Sequence, residues 1–254
     1  MLIQTAIILF AYFTLWYVFA VILKNSSIVD IGWGLGFVVL AVYSFIQKIT
    51  LPSAVITAIV SIWGFRLAYH IFRRNFKKPE DFRYANFRKE WGKTYYIRAY
   101  FQLFLFQGLL MFLISLSFLY ANSAAKIEIY PLFFIGSAVW VIGFFFEVVG
   151  DLQLKRFIKN PNNKGKLIDT GLWQYTRHPN YFGEATMWWG IFFMALACNA
   201  PFFTVISPIT ITFIIRFVSG VPMLEKSLEK KPGFNEYKRR TNIFIPWLPK
   251  EIKK

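Results

Sequence analysis

Long apolar runs alternate with short basic stretches along this chain, and each apolar run is close to the length of a membrane-crossing helix. Such a helix needs about 20 consecutive, mostly apolar residues. The pattern therefore predicts an all-α fold, a polytopic membrane protein with seven transmembrane helices. The predicted spans are 2–23, 28–47, 52–72, 97–119, 131–150, 181–199 and 202–220.

Two of the predicted spans begin unusually. Residues 2–23 lack the basic start and the small-residue cleavage site of a signal peptide, so we interpret them as a span. The second span begins with Asp30 and with glycines at positions 32, 34 and 36. This composition is compatible with a partly unwound or re-entrant start, which is tolerated only against protein or a water-filled cavity.

The basic residues are unequally divided between the two sides of the predicted membrane domain. Twenty-five of the 29 lysines and arginines lie on one side, and two lie on the other. The crowded side comprises Lys24 and the segments 73–98, 151–180 and 221–254. Because cytoplasmic loops are enriched in Lys and Arg, we predict an N-terminus outside and a cytoplasmic C-terminus. Residues 1–254 then form a single membrane domain whose basic loops contact anionic membrane lipids.

Composition narrows the possible functions. With 56% hydrophobic residues and a net charge of +16, the chain is too apolar for a soluble domain. The basic residues flank apolar spans instead of forming a separate module, so we expect no nucleic-acid partner, and no obligate protein partner is indicated. Cys198 is the only cysteine, and His70 and His178 are the only histidines. A disulfide within the chain and a histidine-rich metal cluster are therefore excluded, and we expect no metal site.

Polar residues at helical spacing mark the cytoplasmic ends of three spans. Glu147, Asp151 and Lys155 are each four residues apart, so they share one helix face. The carboxylates either pair with Lys155 or Arg156 as a structural ion network or accept hydrogen bonds from ribose hydroxyls or an amide.

The second group lies in the segment 177–184, RHPNYFGE. Asn180, Glu184 and Trp188 follow one another at steps of four, and Pro179 stands where a helix would begin. A helix N-terminus beside Arg and His suits an anion such as phosphate. Simple N-capping is the alternative, but capping does not require Arg, His, Tyr and Glu together.

The third group lies on span three, where Tyr69 and His70 follow Arg66 by about one helical turn. Arg66 either reaches the interface by snorkelling or pairs with Glu147 or Glu184 across helices. A lone His at a helix end is usually structural, but His70 shares a face with an intramembrane Arg, which favours a functional role.

Two stretches outside the spans add to this picture. The segment 160–166, NPNNKGK, is basic and turn-forming, and its flexible backbone and lysines suit a diphosphate. In the C-terminal tail, Tyr237 and Arg240 belong either to an amphipathic segment on the membrane surface or to a lid over a bound ligand.

The central run NKGKLIDTGLWQYTRHPNYFGEATMWWG resembles the steroid 5-alpha-reductase-like membrane family, and most closely its uncharacterised bacterial branch, of the 3-oxo-5-alpha-steroid 4-dehydrogenase C-terminal domain type. The resemblance extends to DIGWG at 30–34, WGFRLAYHIFRRN at 63–75, EDFRY at 80–84, GDLQL at 150–154 and PGFNEYKRRTNIFIPW at 232–247. It implies a seven-helix membrane fold, NADPH as hydride donor and an apolar lipid-like substrate, steroid-like or other, with a carbon–carbon double bond conjugated to a carbonyl. It also implies a bacterial inner membrane, helices 1–120 on the substrate side and a cofactor-binding half at 121–254. From the distribution of Lys and Arg we expect the active site to face the cytoplasm.

Taken with the polar groups above, the resemblance implies a pocket for the cofactor. In it, carboxylates and amides would bind the ribose or carboxamide, cations would bind the phosphates, and an aromatic side chain would contact the nicotinamide ring. The expected residues are Arg66, Glu147, Asp151, Lys155, Lys166, Tyr175, Arg177, His178, Asn180, Tyr181, Glu184, Trp188, Tyr237 and Arg240.

The catalytic residues depart from the family pattern at one point. Steroid-reducing members polarise the substrate carbonyl with a Glu and a Tyr, and matching places Asp30 near the Glu but Trp63 where the Tyr would be. Because Trp cannot act as a proton donor in acid catalysis, we expect Asp30 to serve as the acid, with Tyr69 or His70 replacing the Tyr.

A second hypothesis is a membrane methyltransferase of the isoprenylcysteine or phospholipid type, which uses S-adenosylmethionine. The RHPNY motif with the Glu that follows it resembles a motif of those enzymes, and so does the residue pattern of the C-terminal tail. The basic NKGK turn and the stripe of Glu147 and Asp151 favour a phosphorylated dinucleotide instead. A transporter or receptor fits the topology but leaves the central motif unexplained.

Overall fold

The structure is a computed structural model that describes residues 1–124 and 126–251. Within these residues the chain forms eleven α-helices and no β-strand; the nearest approach to a strand is an isolated parallel bridge between Thr176 and Asn242. The helices are α1 Leu2–Ile22, α2 Val29–Gln47, α3 Leu51–Asn75, α4 Phe82–Trp91, α5 Tyr95–Ala99, α6 Phe106–Asn122, α7 Tyr130–Lys159, α8 Pro179–Ala197, α9 Ile206–Phe213, α10 Val221–Leu228 and α11 Phe234–Arg240. The prediction of an all-helical fold is confirmed.

Six helical segments of the described chain are long and apolar enough to cross a membrane. They are Leu2–Ile22, Ser26–Gln47, Leu51–Asn75, Phe82–Asn122, Tyr130–Lys159 and Phe202–Leu228. Helix α8 corresponds to the predicted span 181–199 but is not among them, since it opens with the polar residues of the central motif. The count of seven spans and the orientation stay predictions.

Local sequence signals explain where several helices begin and end. Thr50 and Ser53 form a capping box at the start of α3, in which each side chain accepts a hydrogen bond from the other residue's backbone N–H. Asp81 caps α4 by accepting a hydrogen bond from the backbone N–H of Arg83. Helix α8 begins directly at Pro179, a favoured first position because proline lacks the N–H that would stay unpaired there.

The described chain divides into two compact units. The first comprises Met1–Glu128 with Ala195–Ile206, and the second comprises Ile129–Met194 with Ser207–Lys254. In the first unit α2 and α3 cross at Gly34 and Gly64, where a Cβ added to either glycine would lie 2.5–2.6 Å from the other's carbonyl oxygen. Only glycine permits so close a backbone approach.

The start of the second span is a regular helix and not the partly unwound segment that its glycines suggested. Helix α2 is continuous from Val29 and is preceded by one 3₁₀ turn, Ser26–Ile28. The glycines serve packing, because Gly32 lies against the indole of Trp16 and its carbonyl accepts a hydrogen bond from Tyr12, at 2.7 Å. The glycines therefore allow close packing against other helices and do not unwind this one. The pattern of residues along a single span does not reveal such contacts.

In the second unit α7 and α8 are joined along a seam of glycines spaced seven residues apart. Gly143 of α7 faces Gly183 of α8, and Gly136 faces Gly190. A Cβ at any of these four positions would come within 2.4–2.7 Å of backbone atoms of the opposite helix. The third α7 glycine, Gly150, lies against the start of α8. Small residues at such spacing let membrane helices pack backbone to backbone.

Candidate functional site

The seam between α7 and α8 ends in a polar pair. The carboxylate of Asp151 accepts a hydrogen bond from the side-chain amide of Asn180, at 3.0 Å. Gly150 makes this possible, because a side chain there would crowd the backbone N–H of Asn180 and the ring of Pro179. The amide oxygen of Asn180 is buried and accepts no hydrogen bond from the described residues. A buried acceptor in this state suits a donor group on a ligand.

Further polar residues continue along the same seam. Glu147 lies one turn before Asp151 on α7 and is 3% exposed, and its backbone adjoins Gly183 of α8. On α8, Glu184 lies one turn after Asn180 and is half-buried, and Trp188 follows after another turn with 1% exposure. Five of the expected cofactor residues thus lie on the two helices that form the seam: Glu147, Asp151, Asn180, Glu184 and Trp188.

A buried ion pair lies beside the start of α8. The guanidinium of Arg177 donates to both carboxylate oxygens of Glu225, at 3.0 and 2.7 Å, although 48 residues separate them. It also donates to the backbone carbonyl of Thr241, at 2.7 Å. His178 adds a hydrogen bond from Nε2 to Glu225, at 2.9 Å. In this conformation Arg177 joins α10 to the C-terminal tail and His178 bonds to α10, and their expected role toward a cofactor stays a prediction.

The environment of His178 makes folding stability depend on pH. Burial lowers the pKa of His178 below its usual value of 6.5, although Glu225 opposes this effect. The unfolded state therefore binds the proton more readily, so stability is full above pH 6.5 and falls as the pH drops through the window below it. We expect thermal unfolding measured from pH 7.5 to 5.5 to show this loss, with a limit of about 1.4 kcal/mol per pH unit. His178→Gln keeps a donor toward Glu225 and should show a flatter profile, whereas an unchanged profile would contradict the assignment.

The C-terminal tail is docked on the loop that precedes α8. The buried hydroxyl of Tyr237 donates to the carbonyl of Trp173, at 2.6 Å. The backbone N–H of Trp247 donates to the carbonyl of Tyr175, at 3.0 Å. Burial raises the pKa of Tyr237, which keeps its hydroxyl in the donating form. In this structure residues 237–247 are docked against the protein, and both the membrane-surface role and the lid role stay predictions.

A cleft of about 520 Å³ lies between the segment 164–169 and the tail residues 232–240. Its cations are Lys164, Lys166 and Arg240, and its acidic residues are Asp169 and Glu236. Arg240 donates to Asp169, and both side chains are partly exposed, at 34% and 43%. The basic turn and the tail, which are far apart in sequence, therefore form one cation-rich concave surface. Its volume is in the usual range for small-molecule sites.

The remaining residues expected in the second unit are placed less centrally. Lys155 is exposed on the last turns of α7. The ring of Tyr181 stacks on the imidazole of His178, with centroids 5.9 Å apart. Tyr175 is half-buried and takes part through its backbone carbonyl in the docking of the tail.

The residues expected in catalysis, Asp30, Tyr69 and His70, all belong to the first unit, and so does Arg66, which was expected to bind the cofactor. Arg66 and His70 are half-buried and one turn apart on α3, whereas Tyr69 between them is 65% exposed. Trp63 is buried at 2% exposure with its ring 5.4 Å from that of Phe37, an arrangement typical of helix packing.

Asp30 has two partners that sequence reasoning missed. Its carboxylate accepts hydrogen bonds from the hydroxyl of Tyr84, at 2.6 Å, and from the guanidinium of Arg83, at 2.7 Å. Both partners belong to the EDFRY motif, and Asp30 opens the DIGWG motif. The motifs themselves were the available signal, since DIGWG begins the second predicted span and EDFRY follows the third, which places both on the same predicted side of the membrane.

The family profile of DUF1295, described as a protein of unknown function, matches residues 16–241. The chain belongs to this family. The family is the steroid 5-alpha-reductase-like one, which confirms the resemblance of the central run and its companion motifs.

Curated relatives point in the same direction. The chain is 30% identical over 118 residues to 3-oxo-5-alpha-steroid 4-dehydrogenase 1 of Bos taurus and 28% identical over 120 residues to the Mus musculus protein of the same name. These matches cover 46% and 47% of this chain and 43% and 44% of the relatives, so the chain spans less than half of their length. An uncharacterized protein of Schizosaccharomyces pombe is 25% identical over 213 residues, which is 74% of this chain and 61% of the relative. No solved structure matches at a significant level. Together with its apolar helices, these matches make the chain an integral membrane protein.

Proposed function

We propose that this protein is an NADPH-dependent membrane reductase that transfers hydride to the carbon–carbon double bond of an apolar enone, steroid-like or another lipid. Family membership and the two dehydrogenase relatives support a reductase. The observation that carries the cofactor assignment is the Asp151–Asn180 pair at the end of the seam, in the same unit as the cation-rich cleft. We place the active site on the cytoplasmic side, where the nucleotide is available.

The donor set of the second unit fits a phosphorylated dinucleotide. The buried amide oxygen of Asn180 and the carboxylate of Asp151 are acceptors for an amide N–H or ribose hydroxyls. Lys164, Lys166 and Arg240 supply positive charge for phosphate oxygens, which bind cations with strong, charge-assisted hydrogen bonds. NADPH, when bound, supplies the hydride.

In this proposal, residues of the first unit stabilise the charge that develops on the substrate. Adding hydride to the β-carbon of an enone places negative charge on the carbonyl oxygen, and a donor positioned there stabilises that charge. We assign this role to His70, supported by the permanent positive charge of Arg66 on the same helix face. Tyr69 is a weaker candidate because its side chain is 65% exposed. The resulting enolate then takes a proton from water at the α-carbon.

Cofactor choice is testable by thermal stabilisation of the purified protein. A ligand that binds the native state raises its stability by mass action, by about 2.7 kcal/mol at a hundredfold excess over Kd. We expect NADPH to raise the melting temperature, NADH to raise it less and S-adenosylmethionine to leave it unchanged. Stabilisation by S-adenosylmethionine and not by NADPH would instead establish the methyltransferase alternative.

The cation-rich cleft makes a sharper prediction. Replacing Lys164 and Lys166 by Ala removes two charged donors, each worth about 1.5–3 kcal/mol when it bonds a charged group. We expect Kd for NADPH to rise at least tenfold, as measured by calorimetric titration. Lys159→Ala is the control, because Lys159 is an exposed lysine at the end of α7, shortly before the two cleft lysines, and does not line the cleft. Equal weakening by the control would mean that general charge, and not this cleft, attracts the cofactor.

A further inference from the structure

The DIGWG and EDFRY motifs form one hydrogen-bonded cluster in the first unit. Asp30 lies in the first turn of α2, and both of its carboxylate oxygens are used as acceptors. One accepts from the hydroxyl of Tyr84, at 2.6 Å, and the other from Arg83, at 2.7 Å. Tyr84 is 5% exposed, so its hydroxyl has little access to water.

Arg83 is held between two carboxylates. Its Nε donates to Asp81 at 2.9 Å, while its Nη2 donates to Asp30 at 2.7 Å. Asp81 in turn caps α4 by accepting a hydrogen bond from the backbone N–H of Arg83, at 3.0 Å. The first turn of α4 is thereby tied to the first turn of α2, across 53 residues of sequence.

A second attachment lies next to the first. The carboxylate of Glu80 accepts a hydrogen bond from the backbone N–H of Ser26, at 2.6 Å, and two from Arg88, at 3.1 and 3.2 Å. The guanidinium of Arg88 lies over the ring of Tyr95, 4.2 Å from its centroid. The hydroxyls of Tyr95 and Ser26 share a hydrogen bond of 2.6 Å. Residues 80–95 are thus bound at two points to the turn that leads into α2.

We propose that Asp30 is a positioning residue that latches the segment 80–91 onto the start of α2, and that it is not the proton donor of the reaction. An acid must present an O–H to the substrate, whereas both oxygens of Asp30 accept hydrogen bonds from protein donors. Arg83 is permanently charged, so its matching partner is the carboxylate form. The latch holds Tyr84 beside the DIGWG motif. Only the kinetic arm of the test below rests on the proposed reductase function.

Hydrogen exchange of the purified protein tests the latch without any cofactor. Asp30→Asn keeps the side-chain shape but removes the charge, and Arg83→Gln removes the opposite charge. We expect each variant to speed amide exchange in residues 80–91 at least tenfold, because local opening costs less once the pair is broken. The double variant should open the segment little more than either single one, since both changes remove the same interaction. Lys89→Gln, an exposed charge on the same helix, should leave exchange unchanged.

The kinetic arm separates positioning from acid catalysis. A latch predicts that Asp30→Asn and Arg83→Gln lose turnover to a similar degree and keep the shape of the wild-type pH profile. It also predicts that the exchanged pair Asp30→Arg with Arg83→Asp restores slow exchange and part of the turnover. Slow exchange in Asp30→Asn, or turnover lost in Asp30→Asn but retained in Arg83→Gln, would overturn the latch. Failure of the wild type to bind NADPH would refute the proposed function and leave the exchange result standing.

Discussion

Replacing Glu225 by Ala is expected to cost about 3–5 kcal/mol of folding free energy, because it leaves a buried charge without its partner. Arg177 is 3% exposed, and two of its nitrogens donate to Glu225. His178, with no exposed surface, loses its acceptor in the same substitution. The C-terminal tail should detach from the loop before α8, seen as a lower melting temperature and faster proteolysis of residues 237–251.

A surface ion pair supplies the control for this substitution. Glu128 pairs with Lys126 at 3.6 Å, with side chains 46% and 72% exposed. Exposed pairs contribute about 0–1 kcal/mol, so Glu128→Ala should leave the melting temperature almost unchanged. Equal losses in the two variants would show that burial does not set the strength of the Glu225 cluster.

Gly183→Ala is expected to destabilise the second unit by about 1–3 kcal/mol, the usual cost of overpacking a tight interface. The added methyl group would lie 2.4 Å from both the backbone nitrogen of Glu147 and the carbonyl oxygen of Gly143. Backbone atoms of a helix cannot move aside as a side chain can, so α7 and α8 must separate. The loss is measurable as a lower melting temperature in detergent, and NADPH binding should weaken with it because Asn180 moves away from Asp151.

Gly108→Ala is the matched control, since it adds the same methyl group to another membrane helix. The nearest atom there is a ring carbon of Phe13, at 3.0 Å, and a ring can shift by a few tenths of an ångström. We expect a much smaller loss than for Gly183→Ala. A loss as large as that of Gly183→Ala would show that helical propensity or general crowding, and not the seam, determines the effect.

The apolar runs predicted the helices well because about 20 apolar residues have few alternatives in a bilayer. The prediction was weaker where polar residues enter a helix. The glycines after Asp30 suggested an irregular start, but their role is to admit Trp16 and Gly64, contacts that lie on other helices. Helix α8 falls short of the apolar segments for a related reason, since its first turns carry Asn180 and Glu184.

The candidate site was predictable in its composition but not in its pairing. Steps of four residues predicted that Asp151 lies on a polar face of one helix and Asn180 on a polar face of another, yet only the packing of α7 on α8 shows that they bond to each other. Arg177 pointed to a phosphate because it precedes a helix N-terminus, whereas in the structure its partner is Glu225. A contact between residues 48 positions apart depends on the path of the chain, which local spacing does not contain.

The glycine seam has a consequence for how this family can diversify. At Gly136, Gly143, Gly183 and Gly190 a larger residue would meet backbone atoms of the opposite helix, which no change of rotamer can move aside. The outward-facing positions of α7 are free to vary, as Phe134 and Ile142 are more than half exposed. Homologues should therefore vary widely on the outward surface of α7 while the geometry of Asp151 and Asn180 stays constant. Members of the family could then adapt their lipid-facing side chains to different membranes while the Asp151–Asn180 pair keeps its geometry.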